Sequence, residues 1–180
     1  WWRTGHYHYQ MLGPDAGPCG YEVFTLDGKR MHWTYRSIED GDKQFRACDM
    51  NEVARYYAAS DDVTKFLTEY PLRQDFRKEA GRNRVFINIW CWEPAWKLRV
   101  TENGRELPVL REQTEDPVYT VSYDVPQTVG KKHRKDYEKR NKAHTLFVVE
   151  ASAPDTTLEI EVTDSFGKVY RETMERPKAF

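Results

Sequence analysis

Between Val85 and Trp92 the chain alternates. Val85, Ile87, Ile89 and Cys91 fall on one side of an extended backbone, and Phe86, Asn88, Trp90 and Trp92 on the other. A period of two belongs to a β-strand, and a strand that is mostly apolar on both sides needs cover on both faces. The pattern predicts a largely buried strand, with Cys91 as a small buried residue and Trp90 and Trp92 sharing the cover of Phe86. Trp96, placed after Pro94 where the next strand begins, is expected to anchor the core.

The same period recurs downstream. Trp96 to Val100 runs into Asn103-Gly104, a pair suited to the positive φ angles of a tight hairpin, and Arg105 to Leu110 follows. Val118 to Tyr123 and Thr145 to Glu150 are strand-like. Leu158, Ile160 and Val162 alternate with Glu159 and Glu161 before the turn Asp164-Ser165-Phe166-Gly167 and a return strand, Lys168 to Glu172. About six strands in about 90 residues, most with one polar face, predict a mainly β fold: an antiparallel immunoglobulin-like β-sandwich from about 83 to 180.

Upstream, Tyr21 to Leu26 and Lys29 to Arg36 flank Asp27-Gly28, which predicts a hairpin. Asp49-Met50-Asn51-Glu52 has the form of a capping box, with Asp49 placed to accept from the third helical amide of a helix over about 50–59. Asp61 and Asp62 open a second helical run with Val63, Phe66 and Leu67. Pro71 breaks it, and another turn or two is expected between Leu72 and Ala80. The expected organisation is a terminal hairpin segment over 1–47 and a sandwich domain over 48–180 with a helical insert at about 48–82.

Composition narrows the function classes. The chain has 180 residues, about 1.2 times a typical domain of roughly 150. It is 39% hydrophobic and 14% aromatic, enough for a core despite a mean hydropathy of -0.86. Apolar runs such as Leu146 to Val149 stop at four residues, so no membrane span is expected. A formal net charge of -1 removes the overall pull on nucleic acid that a dedicated binder shows. Cys19, Cys48 and Cys91 stand 29 and 43 residues apart, which fits no zinc pattern and allows at most one disulfide. The chain opens at Trp1-Trp2 without a methionine or a leader-like stretch, so its natural N-terminus is expected to lie upstream.

Three stretches carry a resemblance. Asp15-Ala16-Gly17-Pro18-Cys19-Gly20-Tyr21, with Asp27-Gly28 and Trp33-Thr34-Tyr35-Arg36, is similar to the D-G-T-P-x-G-Y…DG…W-x-Y-[KR] segment that closes the catalytic domain of exported bacterial calcineurin-like metallophosphoesterases, departing from it at Ala16-Gly17. Trp1-Trp2 stands where that family has paired tryptophans. Trp90-Cys91-Trp92-Glu93-Pro94-Ala95-Trp96 with Asn103-Gly104 resembles the W-x-W-[DE]-P-x-W…DG pattern of the family's C-terminal domain, and Val162 to Tyr170 its final hairpin. The resemblance runs from Trp1 to about Tyr170. It implies a metal-dependent phosphoesterase parent, exported to the periplasm, of which this chain is the non-catalytic C-terminal region. The implied partner is the catalytic domain of the same parent chain; neither a nucleic acid partner nor an oligomeric state is implied.

The chemistry implied for the parent needs two divalent metal ions and a bridging water. Their ligands come from D-x-H, G-D-x-x-D and G-N-H-[DE] segments, which this sequence lacks, and from G-H-x-H. No cofactor is therefore expected in this chain. Gly5-His6-Tyr7-His8 spells the last motif, and two imidazoles two residues apart on a strand could share a metal. It follows the paired tryptophans where the family places it before them, so His6 and His8 are expected to be ordinary histidines. No catalytic residue is expected.

Two roles remain open. In the first, the region packs on the catalytic domain and shapes its active-site mouth. In the second, it is a carbohydrate- or polyanion-binding β-sandwich, using Trp90, Trp92 and Trp96 as a stacking platform or Lys131, Lys132, Arg134 and Lys135 as a cationic loop. That loop, Lys131 to Lys142, holds seven Lys or Arg against two acids, a net +5. Solvated loops of mixed charge are the commoner case.

Overall fold

The computed structural model describes residues 12–13, 16–38, 41–129 and 142–180. Trp1, Trp2, His6, His8, Lys131, Lys132, Arg134 and Lys135 lie outside the described residues. In chain order the elements are β1 (Gly20–Asp27), β2 (Arg30–Ser37), β3 (Phe45–Asp49), α1 (Met50–Ala59), α2 (Asp61–Glu69) and a 3-10 turn (Phe76–Glu79). Then come β4 (Arg84–Ile89), β5 (Lys97–Glu102), β6 (Arg105–Glu106) and β7 (Leu110–Arg111). A helical arm over 117–129 follows, with a π-helical turn (Thr120–Asp124) at its centre, and then β8 (Leu146–Glu150), β9 (Leu158–Thr163) and β10 (Val169–Met174).

The fold is mainly β and every strand pair is antiparallel. One four-stranded sheet has the order β10-β9-β5-β6 and the other β3-β4-β8-β7; β1 and β2 form a separate hairpin. Val85, Ile87 and Ile89 of β4 and Phe147 and Val149 of β8 meet Val100 of β5 and Leu158, Ile160 and Val162 of β9 in one core, so the two sheets form a sandwich. The opposite face of the second sheet presents Phe86, Leu146 and Val148. It is covered by Met50, Val53 and Tyr57 of α1, Val63 and Phe66 of α2, Phe76, and Val125 of the arm. That third layer is why all six residues of β4 are buried. β3, a sandwich strand paired with β4, spans residues 45–49, across the expected division at 47/48.

Local signals explain most of the elements. Asn103 and Gly104 take φ of 50° and 77° between the paired Glu102 and Arg105. Ser60 caps α2 by accepting from the Val63 amide, and Gly81 at φ 73° follows the 3-10 turn. In the first hairpin the turn is Gly28-Lys29, one residue later than expected, because Asp27 pairs with Arg30 and Gly28 supplies the positive φ.

Five expectations are corrected. The stretch 118–123 is helical, not a strand: Asp116 accepts from the amides of Val118 and Tyr119, and Pro117 occupies the first helical position, which outweighs the β-prone side chains. Asp49 accepts from the second helical amide, Asn51, and not the third, because Arg176 engages its carboxylate from the C-terminal tail (Nε to Oδ2, 3.1 Å). The strand from Val85 ends at Ile89, and Cys91, at φ 54°, is exposed, not buried. That left-handed residue also reverses the alternation, so Trp92 packs against the core between the sheets while Phe86 packs under the helices. Finally, Arg105 to Leu110 divides into β6 and β7, with Pro108, which has no N–H to give a ladder, between them.

Candidate functional site

The surface that stands out is the hairpin. All eight residues of β1 are exposed, including Tyr21 (59%), Phe24 (56%) and Leu26 (74%), and Met31 on β2 is exposed as well. The register places Phe24 opposite Trp33 and Leu26 opposite Met31, so these four share one face near the tip. On the other face Tyr21 and Val23 lie opposite Arg36 and Thr34.

One edge of the hairpin is moored to the sandwich. Phe166, in the turn before β10, packs against His32 (ring centroids 4.7 Å apart) and edge-on to Trp33 (4.6 Å, 87°). Tyr35 meets Trp90 at 6.4 Å and 67°, and the buried Gln44 side chain donates to the Tyr35 carbonyl at 2.6 Å. Asp42 accepts from Arg36 and lies 3.7 Å from Lys168. The Tyr35 hydroxyl donates to the Pro18 carbonyl, and its ring lies over Gly20, where any side chain would collide with it. These contacts involve β2 and its flanks, which leaves β1 an open strand among the described residues.

The predicted tryptophans take separate places. Trp90 is 3% exposed. Trp92 is half-buried, tilted against Phe147 (5.4 Å, 62°), with the Arg111 guanidinium over its ring at 4.2 Å. Trp96, expected as a core anchor, is half-buried at the sandwich margin, stacked on Tyr170 (6.4 Å, 14°), with its Nε1 donating to Glu93 Oε1 at 3.1 Å. All three cysteines are free thiols.

Sequence reasoning missed the buried charge cluster under the helical layer. Arg73, on the segment after α2, donates from Nε to Glu115 Oε2 at 2.9 Å and also binds Asp124, and the three side chains are almost fully buried. Burial pushes the Asp124 carboxyl above its ordinary range, against the pull of Arg73. Next to it, Asp116 accepts from Asn88 Nδ2 at 2.8 Å while capping the arm. Asp116-Pro117 was the one local signal; nothing near Arg73 in sequence points to partners 42 and 51 residues away.

Among the described residues no three of His, Cys, Asp and Glu come together so as to hold a metal ion. The described residues therefore do not fit the pair of divalent ions that the resemblance implies for the parent. None of the helices among them is long and apolar enough to cross a membrane.

Comparison with known proteins agrees with the motif reading. A family model described as the C terminal of calcineurin-like phosphoesterase matches residues 1–170. No curated protein and no solved structure gives a significant match. With nearly its whole length covered, the chain belongs to the family of calcineurin-like phosphoesterase C-terminal regions.

Proposed function

We propose that this chain is a non-catalytic accessory region that packs on the catalytic domain of its parent phosphoesterase through the β1-β2 hairpin. The observation that carries this is β1, a fully exposed strand whose Phe24 and Leu26 share one face with the exposed Met31 of β2. Contiguous exposed apolar surface marks an interaction site, and an uncovered strand edge is a template for further pairing. Family membership supplies the partner. In this reading the metal pair and the hydrolysis belong to the catalytic domain, and the chain contributes position and cover. The sandwich then holds a set orientation, because Phe166, Asp42 and Gln44 tie β2 to it.

Antiparallel geometry gives the test an internal control. Asp27 and Arg30 flank a two-residue turn and so exchange hydrogen bonds, as do Thr25 with His32 and Val23 with Thr34. Glu22, Phe24 and Leu26 turn their backbone groups to the open edge. Hydrogen exchange is expected to be fast at these three amides in the isolated chain and slowed at least tenfold in the full parent, with Val23 and Thr25 protected in both. Equal exchange of Glu22, Phe24 and Leu26 in the two proteins overturns the proposal.

The stacking-platform alternative draws less support, since Trp90 is buried and the faces of Trp92 and Trp96 are used by Arg111 and Tyr170. A periplasmic parent is a second part of the proposal, supported by the resemblance. Osmotic-shock fractionation tests it, and recovery of the parent with the cytoplasm overturns it.

A further inference from the structure

Away from the hairpin, the C-terminal tail and the helical arm enclose a groove of about 430 Å³ beside β3, the edge strand of its sheet. The volume lies in the range of small-ligand sites, about 300–1,000 Å³. Its apolar part comes from Ala47 and Cys48 of β3, from Val118 and Val121, one helical turn apart, and from Tyr56, which meets Phe180 edge-on at 5.3 Å. Lys43, Arg46 and Lys178 also line it, and the one acid among the lining residues, Asp49, is fully buried and paired with Arg176 at 3.1 Å.

The cations are only partly satisfied. Lys178 binds Glu172 at 2.6 Å and the Ala47 carbonyl at 3.2 Å. Arg46 donates to the Ala16 carbonyl at 2.9 Å and reaches Asp116 only at 3.5 Å, and its Nε has no acceptor. Lys43 forms no ion pair among the described residues. Burial pushes the Cys48 thiol up to about 12, so it adds no negative charge. The larger groove beside α1, about 720 Å³, lacks this excess because Arg55 is paired with Glu52 and Arg77 with Asp75.

We infer that the groove between the C-terminal tail and the helical arm binds a small amphiphilic anion, its carboxylate or phosphate-monoester head near Lys43 and Arg46 and its short apolar chain against Val118 and Val121. A cationic rim over an apolar floor rejects a neutral alcohol for want of the head group and a bare anion for want of the chain. The site is independent of hairpin docking and is measurable on the chain alone.

The test is an amide-resolved NMR titration of the chain with n-octyl phosphate and octanoate, against n-octanol and inorganic phosphate. At least one amphiphilic anion is expected to shift the Cys48 and Val121 amides saturably at one site, with octanol and inorganic phosphate at least tenfold weaker. Tighter binding of octyl phosphate than octanoate identifies a phosphoester site, and the reverse a carboxylate site. Lys43→Glu and Ser122→Glu, which add negative charge at the groove, are each expected to weaken binding at least fivefold while spectra and melting stay native. The inference is overturned if octanol binds as well as the anions, if shifts fail to saturate or centre elsewhere, or if both native-like variants bind unchanged. It is also overturned if an oligo-glutamate peptide occupies the groove and the amphiphiles do not.

Discussion

β1 and β4 are made of similar residues and end in opposite environments. Gly20–Asp27 carries Tyr, Val, Phe and Leu, and every residue is exposed; Arg84–Ile89 carries Val, Phe and two Ile, and every residue is buried. The difference lies in their neighbours. β4 sits between β3 and β8 in its own sheet, with the other sheet on one face and the helices on the other. β1 has β2 on one edge and nothing of this chain among the described residues on the other. Composition and period set that a segment is extended, and topology sets whether it is covered. An extended apolar strand that the other described residues leave uncovered then becomes the candidate interface.

The comparison can be broken at several points. Phe86→Ala, which removes a ring packed edge-on against Phe76 beneath the helical layer, should cost about 3–5 kcal/mol in urea unfolding. A loss below about 1 kcal/mol would mean that β4 is not covered on its helical side. Arg73→Ala should cost a similar ~3–5 kcal/mol, because it leaves Glu115 and Asp124 charged and buried without their cation. Adding Glu115→Gln and Asp124→Asn should recover part of that loss, and no recovery would show the cost to be packing alone.

Smaller effects sharpen the picture. Gly104→Ala should cost about 1 kcal/mol, since alanine resists the φ of 77° that closes the β5-β6 turn; an unchanged melting point would refute the hairpin geometry. Glu102 gives a pH signature. Burial works to raise its carboxyl, but hydrogen bonds from Thr156 Oγ1 and the Ser152 amide and the charge of Arg176 hold it below its ordinary value of 4.5. A depressed carboxylate stabilises the fold above that value, and the contribution is lost as pH falls through it toward the lower native value. Glu102→Gln should flatten stability in that acid window and leave the slope near neutrality unchanged; an unaltered acid slope would exclude the linkage. The smallest effect is expected at the hairpin, where Phe24→Ala or Leu26→Ala should move the stability of the isolated chain by no more than about 0.5 kcal/mol. A loss near that of Phe86→Ala would show that β1 is covered within this chain.

Family membership and most strands were legible because their signals are local: alternation at 158–163, Asn103-Gly104, and the tryptophan motif. Where the reading failed, a local signal was outweighed or a distant one was involved. At 118–123 the β-branched and aromatic residues pointed to a strand, while the Asp116-Pro117 cap and the cover of the second sheet made it helical. At Cys91 a single left-handed residue moved Trp92 to the other side of the sheet.

Period, turn chemistry and motif spacing act over a few residues, and they alone made legible an antiparallel β protein with an early hairpin, the Asn103-Gly104 turn, and the family. Tertiary contacts set the rest: the helices form a third layer, Arg73 is neutralised by two distant acids, the tail clasps Asp49 through Arg176, and β1 is left open among the described residues. Each of these depends on which segments meet across tens of residues. Burial and charge pairing are properties of that meeting, and no local pattern in the chain encodes them.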